Sequence, residues 1–307
     1  MIEDMNLDGL PEVLLRVIPY LTGTRVWWNY QILGWDGSSF RSLISQTEFD
    51  DRYGLGGVWW GDIRTNGLGG EYPWEGEAWE VQDIDQNGTL ELILRSGIET
   101  HEEFIVHGPH QPLVHIFTWN GEGFVLDDFQ IGPPEYRFQA VHNGDSYTLL
   151  HDYKQAEASY RQAIDDQTLL YWMDNSVEYF RAVRVASYGQ IPTPTPNPPD
   201  MDEYPNLAAY AQYRIVLLHA LQGQVGEAEE AYKTMLTAYP AGEEGHIFVQ
   251  LAERLLDEYR ASEDVRAACA EVVAFAAQHE EDVLQYVGGY HGWQTLEYEV
   301  EDVCPFR

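Results

Sequence analysis

The amino-acid sequence predicts an α+β protein, with a β-rich domain over residues 1–136 and a helical domain over residues 137–307. Before residue 137 the chain is rich in β-branched and aromatic residues, and eight of its ten tryptophans precede residue 120. After residue 137 the apolar residues recur at helical spacing instead. The length of 307 residues is sufficient for two domains of this size.

A nine-residue loop opens the chain at Asp4–Glu12 and occurs again at Asp83–Glu91. Both copies carry oxygen-bearing side chains at loop positions 1, 3, 5 and 9 and a glycine at position 6, and both run into apolar residues. Calcium prefers several oxygen ligands on a short flexible loop. We therefore predict two calcium sites, each completed by the backbone carbonyl of loop position 7. The predicted ligands are Asp4, Asn6, Asp8, Leu10 and Glu12 in the first loop, and Asp83, Asp85, Asn87, Thr89 and Glu91 in the second.

The two loops differ from EF-hand loops, because position 12 is Leu15 or Leu94 instead of a bidentate glutamate and the following residues are typical of a strand. The pattern Asp-x-Asp/Asn-x-Asp/Asn-Gly-x-x-Glu before a strand resembles the FG-GAP/VCBS-like repeats of extracellular β-propeller proteins. The resemblance implies that each loop binds calcium between the strands of a blade. From the residues alone, the alternative is a metal-free turn, since Asp, Asn and Gly form turns by themselves.

The loops belong to a longer repeat within the β-rich domain. The strand-like segment Arg25–Leu33 leads into an aromatic-flanked turn, Trp35–Phe40, and the same Trp-x-Gly-x-x-Phe pattern returns at Trp119–Phe124. The turns are 84 residues apart and the loops 79, so a unit of roughly 80 residues is used twice. Two propeller-blade-like units cannot close a propeller of about four to eight blades. We expect either a two-repeat sheet assembly or the end of a longer propeller.

The helical domain shows the pattern of paired helices. Small and large apolar residues recur at helical spacing over Tyr153–Ile164, Ala208–Leu221 and Ala228–Pro240. These spacings resemble the tetratricopeptide repeat, whose helix pairs stack into an α-helical solenoid with a concave, protein-binding face. A third pair, from about residue 247 to 279, keeps the helical period without the family's residues. The proline-rich segment 191–200 predicts a surface loop, with a partner-binding motif as the alternative.

The chain has two cysteines, Cys269 in the last predicted helix and Cys304 in the tail that follows it. Their spacing is unlike that of a metal site. A pair of cysteines in a calcium-loop protein favours one disulfide in an oxidising compartment, whereas two buried free thiols are the alternative. We predict the disulfide, which would fasten the tail from Tyr298 to Arg307.

Composition narrows the classes of partner. With 17 Lys and Arg against 51 Asp and Glu, the net charge is −34, which excludes a general nucleic-acid binder because such a protein needs a basic face. The sequence contains no apolar run of about 18 residues, so we predict no membrane span. No leader is visible before the first loop, and we expect a mature or trimmed form of an extracellular or cell-surface protein.

No catalytic signature stands out among the residues. Gly-x-Ser-x-Gly, His-Glu-x-x-His and Walker patterns are absent from the sequence. A glycosidase needs two carboxylates across a cleft, and nothing in the sequence brings together two of the glutamates that lie among aromatic residues. A Gly-Pro loop likewise interrupts the histidines that would suggest zinc. These glutamates and histidines are Glu77, Glu80, Glu102 and Glu103, and His107, His110 and His115.

We therefore expect an extracytoplasmic, calcium-binding structural or interaction protein that is not an enzyme. Its helical repeats would present a surface to a protein partner or to further copies of the chain, as in a surface or filament subunit. The alternative class is a glycan-binding or glycan-cleaving protein that uses the tryptophan-rich β domain, because exposed aromatic rings stack on sugars.

Overall fold

The structure, a computed structural model, describes residues 2–22, 25–44, 58–60, 79–96, 113–171, 200–287 and 298–306. Among these, the residues up to Pro133 form one compact unit, here called the β unit, and those from Pro134 form a second, the helical unit. The β unit consists of antiparallel sheets and the helical unit of helices, which confirms the α+β class. No helix in the described ranges is long and apolar enough to cross a membrane. Of the predicted proline-rich loop, only Asp200 lies in those ranges.

The β unit contains two sheets with the same order of strands. The first sheet has the order β1-β2-β3-β4, with β5 also paired to β3, and the second has the order β6-β7-β8-β9. Every pair of named strands is antiparallel. The strand bounds are β1 Ile2–Glu3, β2 Glu12–Thr22, β3 Arg25–Trp35, β4 Phe40–Ser42, β5 Val58–Trp60, β6 Trp79–Gln82, β7 Glu91–Ser96, β8 Leu113–Trp119 and β9 Phe124–Ile131.

The strand order repeats because the sequence repeats. In each sheet a loop of the predicted calcium-binding pattern joins the first two strands, and an aromatic-flanked turn joins the last two. Asp36 closes the first turn and Asn120 the second, each accepting two backbone N–H bonds on its Oδ1. The rings of Trp35 and Phe40 lie 5.1 Å apart, and the equivalent rings of the second turn lie 5.3 Å apart. Within the described residues the strands form two such sheets.

One apolar core joins the two sheets. The Phe124 amide donates a hydrogen bond to the Leu43 carbonyl at 2.6 Å, linking the second repeat to the first. A Cβ at position 123 would lie 2.9 Å from the same carbonyl oxygen, so Gly123 permits this approach. Phe124 is 1% exposed, whereas its first-repeat counterpart Phe40 is 57% exposed. The buried core residues are Met5, Leu14, Tyr30, Ile32, Leu43, Ile44, Leu92, Leu94, Phe117 and Phe124.

The helical unit contains three successive helix pairs, α1 with α2, α3 with α4, and α5 with α6. Small residues bring these helices close: Ala156, Ala163 and Ala228 are completely buried. Gly144 lies against the ring of Tyr160, where a Cβ would come within 2.3 Å of a ring carbon. The bounds are α1 Arg137–Leu149, α2 Tyr153–Asp165, α3 Glu203–Leu221, α4 Val225–Ala238, α5 His246–Ser262, α6 Val265–Ala276 and α7 Glu280–Leu284, with a 3-10 helix at Val300–Val303.

The last part of the helical unit differs from the sequence expectation. Cys269 lies in α6, which is followed by α7, so the prediction that it belongs to the last helix is wrong. The tail also folds into a 3-10 turn and buries the side chains of Val303, Cys304 and Phe306. Segments of four or five residues are too short to show a helical period, which is why the sequence gives no signal for them.

Candidate metal centres

The second loop gathers its acidic side chains around one point. One carboxylate oxygen from each of Asp83, Asp85 and Glu91 lies within 4.8 Å of the others. Glu91 is the first residue of β7 and is only 1% exposed. Its Oε2 accepts a hydrogen bond from the Ile84 amide at 2.8 Å, which fixes the carboxylate across the loop. The arrangement can hold a cation between the start and the end of the loop.

The first loop repeats the hydrogen bonds of the second loop at equivalent positions. Glu12, which is 2% exposed, accepts a hydrogen bond from the Met5 amide at 2.7 Å. The Gly9 amide donates to Asp4 Oδ2 at 3.1 Å, and the corresponding distance in the second loop is 3.0 Å. The second ligand position is occupied by the amide side chain of Asn6 rather than by a carboxylate. The two loops therefore share a hydrogen-bonded shape, and within the described residues a group of three acidic side chains close enough to hold a metal is found in the second loop alone.

Both loops contain buried carboxylate oxygens that the described residues leave unsatisfied. Asp4 Oδ1, Asp83 Oδ1 and Glu91 Oε1 are shielded from solvent, and none of them accepts a hydrogen bond from a described residue. Leaving a polar atom in this state costs about 1–3 kcal/mol, and more when the group is charged. A bound cation is the partner that would remove this cost, because it satisfies several carboxylate oxygens at once.

The pKa of Glu12 in the first loop also favours a bound cation. Burial raises the pKa of Glu12, and although the Met5 hydrogen bond opposes the rise, the nearby carboxylates of Asp8 and Asp4 add to it. Carboxylates that are crowded together away from water favour the protonated form until a positive charge joins them.

Two residues in each loop have a left-handed backbone. The glycines at position 6, Gly9 and Gly88, have φ angles of +87° and +95°, as the sequence pattern predicts. The residues at position 4, Leu7 and Gln86, both have a φ of +62°. Sequence analysis missed this second turn, because leucine and glutamine rarely adopt such angles and therefore carry no signal for them.

The two loops are in direct contact, which the sequence did not reveal. The Leu90 amide of the second loop donates a hydrogen bond to the Met5 carbonyl of the first at 2.8 Å. A Cβ at Gly88 would lie 3.1 Å from a side-chain carbon of Leu7, so the loops also touch through their glycine turn. The first-loop counterpart of Leu90 is Pro11, which has no N–H to donate.

Other residues considered from the sequence do not converge on these loops. His115 is fully buried in β8, and burial lowers its pKa to about 3, so it is a neutral core residue. Glu80 forms an ion pair with Arg95 on neighbouring strands. Outside the described residues lie Glu77, Glu102, Glu103, His107 and His110.

The helical unit contains a buried ion pair that sequence analysis also missed. Arg214 Nε lies 3.1 Å from Asp145 Oδ1, and both side chains are almost inaccessible to solvent. Asp145 also accepts hydrogen bonds from the hydroxyls of Tyr160 at 2.6 Å, Tyr210 at 3.1 Å and Tyr298. Burial alone would lower the pKa of Arg214, but the Asp145 carboxylate and the surrounding tyrosines together outweigh it, so the pKa is raised well above its usual value.

Arg214 also holds the tail of the chain. Its Nη1 donates to the carbonyls of Asp302 at 3.0 Å and Val303 at 3.1 Å. Next to this anchor, the Sγ atoms of Cys269 and Cys304 lie 2.06 Å apart, with their Cα atoms 5.1 Å apart. The structure therefore places the predicted cysteine pair at the distance of a disulfide.

Comparison of the chain with protein-family models, with curated proteins and with solved structures finds no match. The FG-GAP/VCBS-like and tetratricopeptide-like resemblances stay predictions, and any function has to be argued from the residues themselves.

Proposed function

We propose that this chain is a calcium-binding structural and interaction protein of an extracytoplasmic compartment, without enzymatic activity. Two calcium ions would stiffen the β unit, and the helical unit would offer a surface to a protein partner or to other copies of the chain. The observation that carries the proposal is the group of buried, unsatisfied carboxylate oxygens at Asp4, Asp83 and Glu91.

The donor set favours calcium over other cations. Each loop carries a formal charge of −3 and offers only oxygen ligands, which suits a hard cation, whereas zinc and copper are usually bound by sulfur or nitrogen. In the second loop Asp83, Asp85, Asn87 and Glu91 would supply side-chain oxygens, and Thr89 its carbonyl. We expect an affinity on the order of 10⁻⁴–10⁻⁶ M, between extracellular modules and calcium sensors.

The helical unit supports the interaction part of the proposal. Its three helix pairs pack through small residues such as Ala156 and Ala228, as stacked helical repeats do. The FG-GAP/VCBS-like and tetratricopeptide-like resemblances belong to modules that build scaffolds and interfaces. The location rests on the cysteine pair, because disulfides persist in oxidising compartments, and these are also rich in calcium.

A glycan-directed function is the second candidate, and one observation favours it. Trp35 and Phe40 are 44% and 57% exposed and form an edge-to-face pair at the end of a hairpin. Such a pair is an apolar platform on which a sugar ring can stack. A glycan array with the intact protein and a Trp35→Ala variant would test this candidate. A reproducible sugar ligand that is lost in the variant would overturn the non-glycan proposal.

Thermal unfolding in EDTA and in millimolar calcium tests the metal part of the proposal. At a free calcium concentration about 100 times the Kd, binding to one loop stabilises the fold by about 2.7 kcal/mol. The double variant Asp83→Asn, Glu91→Gln keeps both hydrogen-bond acceptors but removes two charges, so the calcium-dependent rise in Tm should shrink. Calcium must stabilise the protein more than magnesium does. Equal Tm values in EDTA and in calcium would contradict the proposal.

The interaction part needs a separate experiment. Native mass spectrometry of the calcium-loaded chain at increasing concentration should show dimers or larger assemblies if the chain associates with itself. A chain that stays monomeric and captures no protein from the envelope of its source would leave only the calcium-dependent fold and remove the interaction function.

A further inference from the structure

The contact between the two loops gives the proposed metal sites a regulatory property. We infer that the loops bind their cations with positive cooperativity, and that the hydrogen bond from the Leu90 amide to the Met5 carbonyl carries the coupling. This inference rests on the proposed calcium binding and goes beyond it, since two loops of the same pattern need not influence each other.

A short chain of bonds joins the glutamate ligands of the two loops. The carboxylate of Glu12 accepts the Met5 amide at 2.7 Å, and the carbonyl of the same residue, Met5, accepts the Leu90 amide at 2.8 Å. Leu90 is followed directly by Glu91, whose carboxylate accepts the Ile84 amide at 2.8 Å. A cation that fixes Glu12 therefore also fixes Met5, and through it the backbone from which Glu91 projects.

The direction of the coupling follows from what each loop must lose on binding. Each loop carries three carboxylates, and we expect it to gain order when a cation draws them together. Ordering of the first loop orders the Leu90 backbone in advance, so the second cation binds a loop that has already lost part of its freedom. After one divalent ion has bound, a loop of charge −3 still carries −1, so the filled loop does not repel the second ion.

Packing reinforces this link at both ends. Met5 is 1% exposed and belongs to the apolar core shared by the two sheets, so its peptide cannot move independently of the sheets. Leu7 of the first loop touches the glycine turn of the second at Gly88. By contrast, Ile84, the counterpart of Met5, is 42% exposed. The first loop is therefore the more firmly held of the two.

A proline at position 90 would remove the hydrogen bond between the two loops, and the first loop shows that the backbone allows it. Pro11 occupies in the first loop the position that Leu90 occupies in the second, so this loop backbone accepts a proline there. Leu90→Pro removes the N–H that donates to Met5 and leaves every ligand and every charge unchanged. Leu90→Ala is the matched control, because it removes the side chain but keeps the donor.

The test measures the calcium affinity of the second loop by calorimetry with the first loop intact or silenced by Asp4→Asn with Glu12→Gln. We expect silencing to weaken the second loop about fivefold or more, the usual size of a coupling between sites. In Leu90→Pro, silencing the first loop should change the affinity of the second loop less than twofold. In Leu90→Ala the fivefold effect should persist.

A second measurement keeps the test decisive if Leu90→Pro fails to fold. With the second loop silenced, hydrogen exchange at the Leu90 amide should slow when calcium fills the first loop alone. Independent affinities, or exchange that does not respond, would overturn the cooperativity and leave the calcium sites intact. Absence of any calcium binding in the unaltered protein would instead overturn the proposed function on which the inference rests.

Discussion

The β unit and the helical unit bury charge in opposite ways. In the β unit, buried carboxylate oxygens of Asp4, Asp83 and Glu91 find no partner among the described residues. In the helical unit, the buried carboxylate of Asp145 is paired with Arg214 and hydrogen-bonded to three tyrosines. The comparison teaches that the helical unit neutralises its buried carboxylate with partners from its own chain, whereas under the proposed function the β unit would take a cation from solution.

The largest expected effect comes from removing the buried ion pair of the helical unit. Arg214→Met leaves the Asp145 carboxylate buried without its cation, and breaking a buried pair in this way costs about 3–5 kcal/mol. We expect a value near the top of that range, because the carbonyls of Asp302 and Val303 lose their donor as well. Denaturant unfolding followed by helical circular dichroism measures it.

The control for this prediction is Arg161→Met. Arg161 is 57% exposed and pairs with Glu157 on the surface of α2, so its loss should cost less than about 1 kcal/mol. A loss of similar size in both variants would mean that the buried pair has no special importance. Addition of calcium should not restore Arg214→Met to the stability of the unaltered chain.

The next effect tests the core that the two repeats share. Phe124→Ala removes a ring that is 1% exposed and should destabilise the β unit by about 4 kcal/mol, within the range for buried Phe→Ala changes. The equivalent residue of the first repeat, Phe40, is 57% exposed, so Phe40→Ala is the matched control. Equal Tm values for the two variants would show that the sheets do not share this core.

The cysteine pair gives the third prediction, on the helical side. Replacing Cys269 and Cys304 by alanine should lower stability by about 3–4 kcal/mol in the chain-entropy account, since the crosslink closes a long loop. Mass spectrometry of protein purified without reductant should find no free thiol. Two free thiols under those conditions would refute both the disulfide and the oxidising location inferred from it.

The smallest effect concerns pH and the β unit. Burial lowers the pKa of His115 to about 3 in the folded protein, compared with about 6.5 in the unfolded chain. Between these two pH values the unfolded chain binds a proton that the folded protein does not, which favours unfolding. Stability should therefore fall as pH falls, by about 1.6 kcal/mol between pH 6.5 and pH 5 for this one group. His115→Phe should remove that loss, measured in EDTA so that release of calcium adds nothing.

The helical unit should respond to acid in the same direction. Burial also lowers the pKa of His142, which lies in α1 and stays in place in the variant. Part of the acid sensitivity that remains in His115→Phe should therefore come from the helical unit. A variant that loses stability with acid as steeply as the unaltered chain would contradict this division.

What the sequence could predict depended on how far apart the interacting residues lie in the chain. The pattern of each loop was visible because all of its proposed ligands fall within nine residues, as in Asp83–Glu91. The buried network was not, because Asp145, Arg214 and Tyr298 lie in separate segments and no spacing links them. The bond from Leu90 to Met5 was hidden for the same reason.

Element types were easier to predict than their ends. The helical period identified the segments now seen as α2 to α6, since each is long enough to show a buried stripe. The start of α3 at Glu203 was placed five residues late, because Glu203 and Asn206 are buried polar residues that break the apolar pattern. Tertiary packing decides such positions, and the sequence alone does not record it.

The anchoring of the tail to Arg214 also has a consequence for the order of events during protein synthesis. The carbonyl of Asp302 lies 88 residues after the arginine that binds it. A ribosome releases the chain from its N-terminal side, and domains fold as units as they emerge. The β unit has all of its residues once Pro133 is out, whereas Arg214 must wait for Val303 before its charge can be buried at full strength. A chain that stops short of that point therefore lacks the two tail carbonyls that accept from Arg214.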